Sequence, residues 1–250
     1  MSDLPMRLAS ALVLGCVFAI TAWFGGFAFL LVLCVASCAI WSEWCGMRMP
    51  DVDDRLLLLG TCAIVLMSFV MWLSSSWTMW LLVAAIILLF AICAARLGQS
   101  KAVKGFLYAA TLLITVGHLR GGGDELAGFA AICFLCAVVF ATDIGAYFVG
   151  RWLGGPKLLP SVSPNKTISG ATGGLMAAII LATVTYAGFE LEPLWIAIVL
   201  ALVLSALAQL GDLYESSMER NAGVKDSGQV IPGHGGVMDR VDGLLFASFG

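Results

Sequence analysis

The feature that most limits this chain is a succession of unbroken apolar runs, each about as long as a bilayer is thick. A helix needs roughly 20 apolar residues to cross the hydrocarbon core. Eight runs meet or approach that length, near residues 7–24, 26–45, 56–73, 77–95, 105–119, 126–149, 170–189 and 193–213, and a ninth begins near 241. Turn residues or charges separate them: Gly25-Gly26, Arg48 to Arg55, Ser74 to Ser76, Arg96 to Lys104, Arg120 to Glu125, Arg151 to Ile168, and Glu190 to Pro193. The composition agrees, with 61% hydrophobic and 12% charged residues, where a soluble domain carries about 25% charged. Backbone inside a bilayer must satisfy its own hydrogen bonds, which leaves helices or closed barrels. Continuous runs, rather than ten-residue alternation, select helices. The expected fold is all-α, a polytopic integral membrane protein of eight to nine spans. One domain over 1–250 is expected, with N-terminal helices in 1–95 and the catalytic core in 96–250.

The basic residues orient the bundle. With the N-terminus and Arg7 on the cytoplasmic side, the inside loops hold 12 of the 13 lysines and arginines, and the outside loops hold only Arg120. The positive-inside rule favours that arrangement. Both long polar loops, 151–168 and 214–240, then face the cytoplasm, where soluble nucleotides are available. The chain is expected in the inner (plasma) membrane, multi-pass, with its active site inside. Met1 to Pro5 is not a basic leader and no small-residue cleavage site follows, so no cleavable signal peptide is expected. The net charge of -3 implies no nucleic-acid partner.

Several residues read as structural. All eight cysteines lie in the apolar runs or at their ends, and Cys133-x-x-Cys136 is flanked by Phe134, Leu135, Ala137 and Val138 with no second ligand pair. Small apolar packing is the expectation over a redox or zinc motif. Trp41, Trp44, Trp72, Trp77, Trp80 and Trp195 fall near helix ends and read as interfacial anchors. His118 is read the same way. Glu43, at the inner end of the second run, either caps or pairs locally or faces a cavity.

The remaining polar residues are where chemistry concentrates. Asp143 sits in A-T-D-I-G-A-Y-F-V-G-R at the inner end of the sixth run. An acid at membrane depth costs about 2.5–3.5 kcal/mol on insertion scales, so it turns to a protein interior or a polar cavity. It is either a helix-packing partner of a nearby cation or a metal- or substrate-binding carboxylate. Next comes the loop Arg151 to Ile168. Its Gly150 to Lys157 stretch fails as a P-loop, because Pro156 precedes the lysine and no Ser or Thr follows. Ser163-Pro164-Asn165-Lys166-Thr167 reads as a turn running into a helix start. Ser163, Lys166 and Thr167 there either hold phosphate at the positive helix end or form a solvated loop.

The eighth run ends in Q-L-G-D-L-Y-E-S-S-M-E-R. Asp212, Glu215 and Glu219 share one helical face with Ser216. Three acids on one face repel unless a cation intervenes, and Arg220, Lys225 or a metal can supply it. Then comes G-H-G-G-V-M-D-R-V-D. Its glycines let backbone approach a ligand closely. Asp239 and Asp242 lie one turn apart. His234 either touches phosphate, orients a carboxylate or is ordinary loop chemistry. Arg240 suits an acid or a phosphate. Hard carboxylates, cations and bare backbone in one stretch suit a phosphate-rich ligand carrying a divalent metal.

The run S-x-M-x-R-x-x-x-x-K-D-S-G-x-x-I-P-G-H-G-G-V-x-D-R-V-D resembles the signature of the phosphatidate cytidylyltransferases, the integral-membrane CDP-diacylglycerol synthases. D-I-G-A-Y-F-V-G-R and S-P-N-K-T-x-x-G resemble that family's other polar elements, in the same order. The likeness covers roughly residues 100–250; the first 95 resemble the family only in hydropathy and in the acid of the second helix. Two positions depart: Glu219 stands where the family usually has Lys, and Ser169 where it usually has Glu. The chain also stops at Gly250, nine residues into the last helix, where relatives usually continue, so a truncated last helix is expected.

The resemblance implies that CTP and phosphatidate give CDP-diacylglycerol and pyrophosphate with Mg²⁺, to which a second, monovalent cation and a homodimer would be compatible additions. It places Asp143, Asp212 and Asp239 at the metal. Asp212, Lys225, Asp226, His234, Asp239 and Arg240 would be catalytic. Ser163, Lys166, Thr167, Ser216, Arg220, Gly235 and Gly236 would bind substrate. The nucleophile is a phosphate oxygen already ionised near neutral pH, so no strong base is needed; metal and cations must join two anions. Two rivals are a CTP-dependent polyprenol or phytol kinase, and a transporter with broken charged helices.

Overall fold

The computed structural model describes residues 4–74, 76–228, 230–231 and 235–249. Helices form where the apolar runs lie: α1 Leu4–Phe24, α2 Gly26–Arg48, α3 Asp54–Leu73, α4 Trp77–Arg96, α5 Ala102–Gly121, α6 Glu125–Leu153, α7 Ile168–Gly188, α8 Leu194–Ala222 and α9 Met238–Ala247. Among the described residues, seven helices, α2 to α8, are long and apolar enough to cross a membrane. The protein is an all-α polytopic membrane protein. The difference from eight to nine spans lies at the two ends. The apolar part of α1, Leu8–Phe24, falls just short of spanning length, and α9 has 10 residues.

The expected loop between α6 and α7 is instead a small antiparallel hairpin, β1 Lys157–Leu159 and β2 Ser163–Thr167. Lys157 pairs with Thr167 and Leu159 with Ser163. Strands this short and polar carry no alternation that sequence reading can detect.

The chain forms two compact units. Unit 1 comprises residues 1–128 and 226–239; unit 2 comprises 129–225 and 240–250. The core of unit 1 is aromatic: Phe90 and Phe106 stack at 4.1 Å, and Trp41 meets Phe90 edge-on at 5.5 Å. Trp41 and Trp44 are buried here and are not interfacial anchors. The reason is glycine on the facing helices. A Cβ on Gly60 would stand 2.5 Å from the Trp41 ring, and one on Gly105 would stand 2.1 Å from that of Trp44. Trp41 Nε1 also donates to Leu57 O at 3.0 Å, satisfying its polar edge. Trp72, Trp77, Trp80 and Trp195 remain exposed, as anchors should be.

In unit 2, α7 lies close against α6: a Cβ on Gly174 would meet Thr142 O at 2.5 Å. Thr142 Oγ1 donates to Ser205 Oγ at 2.8 Å, joining α6 to α8 in a buried polar contact. These three helices set the frame for the polar residues of unit 2.

Candidate active site

Unit 2 gathers one set of the predicted residues around a cavity of about 620 Å³. α6 contributes Asp143, Tyr147 and Arg151, a spacing of four that keeps one helical face. The hairpin contributes Lys157, Asn165 and Lys166, and α8 contributes Gln209 and Asp212. Lys166 forms an ion pair with Asp212. Asp143 lies within electrostatic reach of both. Arg151 Nη1 donates to Tyr147 Oη at 2.8 Å, which fixes the guanidinium along the helix. The wall thus combines two carboxylates with three cations.

The hairpin reaches this position through the start of α7. Thr167 is the N-cap, and its hydroxyl accepts from Gly170 N at 3.0 Å. Its Oγ1 also contacts Ser169 Oγ at 3.0 Å. Ser169 donates to Gly154 O and ties the hairpin entrance to the helix. Ser163, at the start of β2, is half-buried.

On α8 the expected acidic face is present. Glu215 and Glu219 are buried, Asp212 and Ser216 partly so. Arg220 is exposed and donates to Val224 O at 2.8 Å, across the turn where Gly223 ends α8 in the left-handed conformation. Lys225 and Arg240 are also exposed.

Asp239 and Asp242, one turn apart, have different surroundings. Asp242 belongs with unit 2. The first turn of α9 packs so closely on α8 that a Cβ on Gly211 would stand 2.6 Å from Asp242 O. The Asp242 side chain shares a hydrogen bond with Glu215, and it feels the charges of Asp212 and Asp143. Burial first, and then Asp212, pushes its carboxyl up to about 7.

Asp239 belongs with unit 1, where its carboxylate accepts backbone N–H groups. Oδ1 takes Ser227 N at 3.0 Å and Oδ2 takes Gly236 N at 3.1 Å. Glu43 does the same from α2: Oε1 accepts from Val237 N and Oε2 from Met238 N, each at 2.8 Å. Glu43 therefore caps α9, a helix about 195 residues further along the chain, rather than its own surroundings. Both carboxylates need bare backbone. A Cβ on Gly228 would stand 2.8 Å from Glu43 Oε1, and one on Gly236 would stand 2.9 Å from Oε2. Gly235, at φ 91°, takes a conformation that disfavours a side chain and accepts from Ile231 N at 2.9 Å. Asp226 lies beside Gly235 and is exposed. His234 lies outside the described residues.

The donors of unit 2 fit a divalent cation of one kind. Among the described residues, no three His, Cys, Asp or Glu side chains stand together as a ready cage. Mg²⁺, however, is commonly held by one or two carboxylates together with substrate phosphates. Asp143 and Asp212 on the cavity wall, with Asp242 adding negative charge, suit that mode. Bound there, the cation would lie between these carboxylates and the substrate phosphates, while Arg151, Lys157 and Lys166 meet the remaining phosphate charge.

Sequence reading missed Tyr147, Arg151, Lys157, Asn165 and Gln209 as cavity residues. The four-residue spacing from Asp143 to Tyr147 and Arg151 was the available signal. Sequence reading did not single out Asp242, whose side chain shares a hydrogen bond with Glu215.

Comparison with known proteins gives this geometry a family. Residues 5–249 match the profile of the cytidylyltransferase family. The chain belongs to that family. It is 40% identical over 250 residues to the phosphatidate cytidylyltransferase of Brucella suis biovar 1 (strain 1330), covering 99% of this chain and 92% of the relative. It is 48% identical over 120 residues to the protein of that name from Bacillus subtilis (strain 168), 48% of this chain and 45% of the relative. The Staphylococcus saprophyticus protein of that name is 41% identical over 154 residues, 59% of each chain. The polar cavity of this family member is thus the place to look for nucleotidyl transfer.

Proposed function

We infer that this chain is a phosphatidate cytidylyltransferase, a nucleotidyltransferase of phospholipid synthesis. The observation that carries this reading is the unit 2 cavity, where Asp143 and Asp212 face Arg151, Lys157 and Lys166. A phosphate oxygen of phosphatidate attacks the α-phosphorus of CTP, a new P–O bond forms, and the bond to the β-phosphate breaks to release pyrophosphate. No base has to remove a proton, because the nucleophile is already ionised.

The work left to the protein is to hold anions together. Lys166 is aimed into the cavity and bound by Asp212; a triphosphate arriving there competes for it. Arg151, pre-oriented by Tyr147, presents a planar fork suited to phosphate. Lys157 adds a third positive charge. Asp143 and Asp212 would hold Mg²⁺, which when bound supplies charge stabilisation to the phosphates. The concentration of basic residues in alternate loops supports an active face toward the cytoplasm of the inner membrane.

The test is conversion of radiolabelled CTP by purified protein in phosphatidate-containing micelles. CDP-lipid and pyrophosphate support the reading. CDP with a lipid phosphate would replace it with a kinase, and a signal undiminished in Asp212→Asn would remove the cavity from the reaction.

A further inference from the structure

Arg120 was the single basic residue left in an outside loop. In the structure it is 6% exposed. Its Nε donates to Ala22 O at 2.6 Å and its Nη2 to Trp23 O at 3.1 Å, so it closes the last carbonyls of α1. The contact explains Gly25. That residue has φ 63°, and a Cβ there would stand 2.6 Å from the guanidinium. Two bonds to carbonyls do not consume this side chain. A guanidinium has five N–H groups and stays charged at any physiological pH. Among the described residues, no carboxylate lies within ion-pair distance of it. Two carbonyls at a helix C-terminus offer only part of a unit charge.

Arg120 also lines a cavity of about 300 Å³ within unit 1. Among the described residues it is also lined by the polar His118 and Ser74, and Leu30, Met71 and Met79 line its apolar part. His118 is exposed and packs edge-on against Trp80 at 4.9 Å. The cavity touches α2 at Phe29, 14 residues before Glu43 and so about 21 Å along the helix from it at 1.5 Å per residue. Within unit 1 it is a site separate from Glu43.

We propose that this cavity binds an anionic phospholipid, its phosphate on Arg120 and its acyl chain against Leu30, Met71 and Met79. A buried permanent cation without a counter-charge is costly, and a lipid phosphate supplies that charge from the surrounding membrane. The apolar lining selects a lipid over free phosphate. The site rests on the geometry of unit 1 alone and holds whether or not the chain transfers nucleotides.

The test is native mass spectrometry of the purified full chain, titrated with phosphatidylglycerol, with phosphatidylcholine, or with inorganic phosphate. One phosphatidylglycerol should be retained in preference to phosphatidylcholine. Arg120→Gln should weaken its retention about tenfold, the scale of one charge-assisted hydrogen bond. Ser74→Trp, which fills the cavity and leaves the Arg120 bonds to α1 in place, should displace the lipid too. Equal retention of phosphatidylcholine would overturn the proposal. So would retention of phosphatidylglycerol unchanged in Ser74→Trp, or inorganic phosphate that competes it off at equal concentration.

Discussion

Two regions of this molecule use carboxylates in opposite ways. In unit 2, Asp143, Asp212 and Asp242 lie within electrostatic reach of one another, and Lys166 pairs with Asp212 at a cavity wall that also carries Arg151 and Lys157. In unit 1, Glu43 and Asp239 are surrounded by backbone N–H groups of the 226–239 segment. The first set brings both signs of charge to an open cavity and is ready for a cation and a phosphate. The second set is charge already spent on holding a loop. Residue type does not distinguish them; the donors within reach do.

The largest effect should come from the first set. Asp212→Asn and Asp143→Asn should each lower kcat/KM by on the order of 100-fold or more, as when a group stabilising transition-state charge is lost. Thermal stability should hold or rise, since a repulsive charge is removed. Activity assays paired with thermal unfolding check this, and a stability loss matching the activity loss would erase the contrast between the regions.

Glu43 should behave the other way. Glu43→Ala removes two bonds from a charged acceptor, each contributing about 1.5–3 kcal/mol. Unfolding should shift first, and activity should follow through the displaced 226–239 segment. Glu43→Gln keeps the shape and one acceptor, so it should recover part of both. An Ala variant as stable as wild type would show that the cap is not what fixes α9.

The cavity cations should show a smaller, more selective effect. Arg151→Ala or Lys157→Ala should raise KM for CTP by about tenfold, with kcat less affected, as expected for uniform phosphate binding. Steady-state kinetics with varied CTP checks it. A fall in kcat at unchanged KM would move the residue to the reacting phosphorus.

How much of this was legible depends on what each signal measures. Apolar length located all eight long helices, because bilayer thickness sets that length. It could not show that Trp41 and Trp44 turn inward, because rotation about a helix axis depends on the glycines of facing helices, Gly60 and Gly105. The acidic face of α8 followed from helical spacing and is present. The split between Asp239 and Asp242 did not follow. Spacing carries no sign that Asp239 accepts from Ser227 N and Gly236 N while Asp242 shares a hydrogen bond with Glu215. Glu43 was visible as an acid in an apolar run, but its partners, Val237 and Met238, are remote in sequence.

Thr167 tests the comparison at its finest scale, because it lies beside Lys166 yet its hydroxyl serves the backbone. It accepts from Gly170 N and is buried. Thr167→Ala should therefore cost about 1 kcal/mol of stability, the usual value of an N-cap. KM for CTP should change by less than about twofold, since a uniform-binding contact is not being removed. Thr167→Ser keeps the oxygen in place and should restore the stability. Unfolding curves and CTP titrations on the three proteins decide between two roles. If KM rises about tenfold while unfolding stays put, the hydroxyl touches phosphate, and the line between spent and available polar groups runs one residue further along the hairpin. If unfolding shifts and KM does not, Lys166 faces the ligand alone and Thr167 holds the helix that carries it.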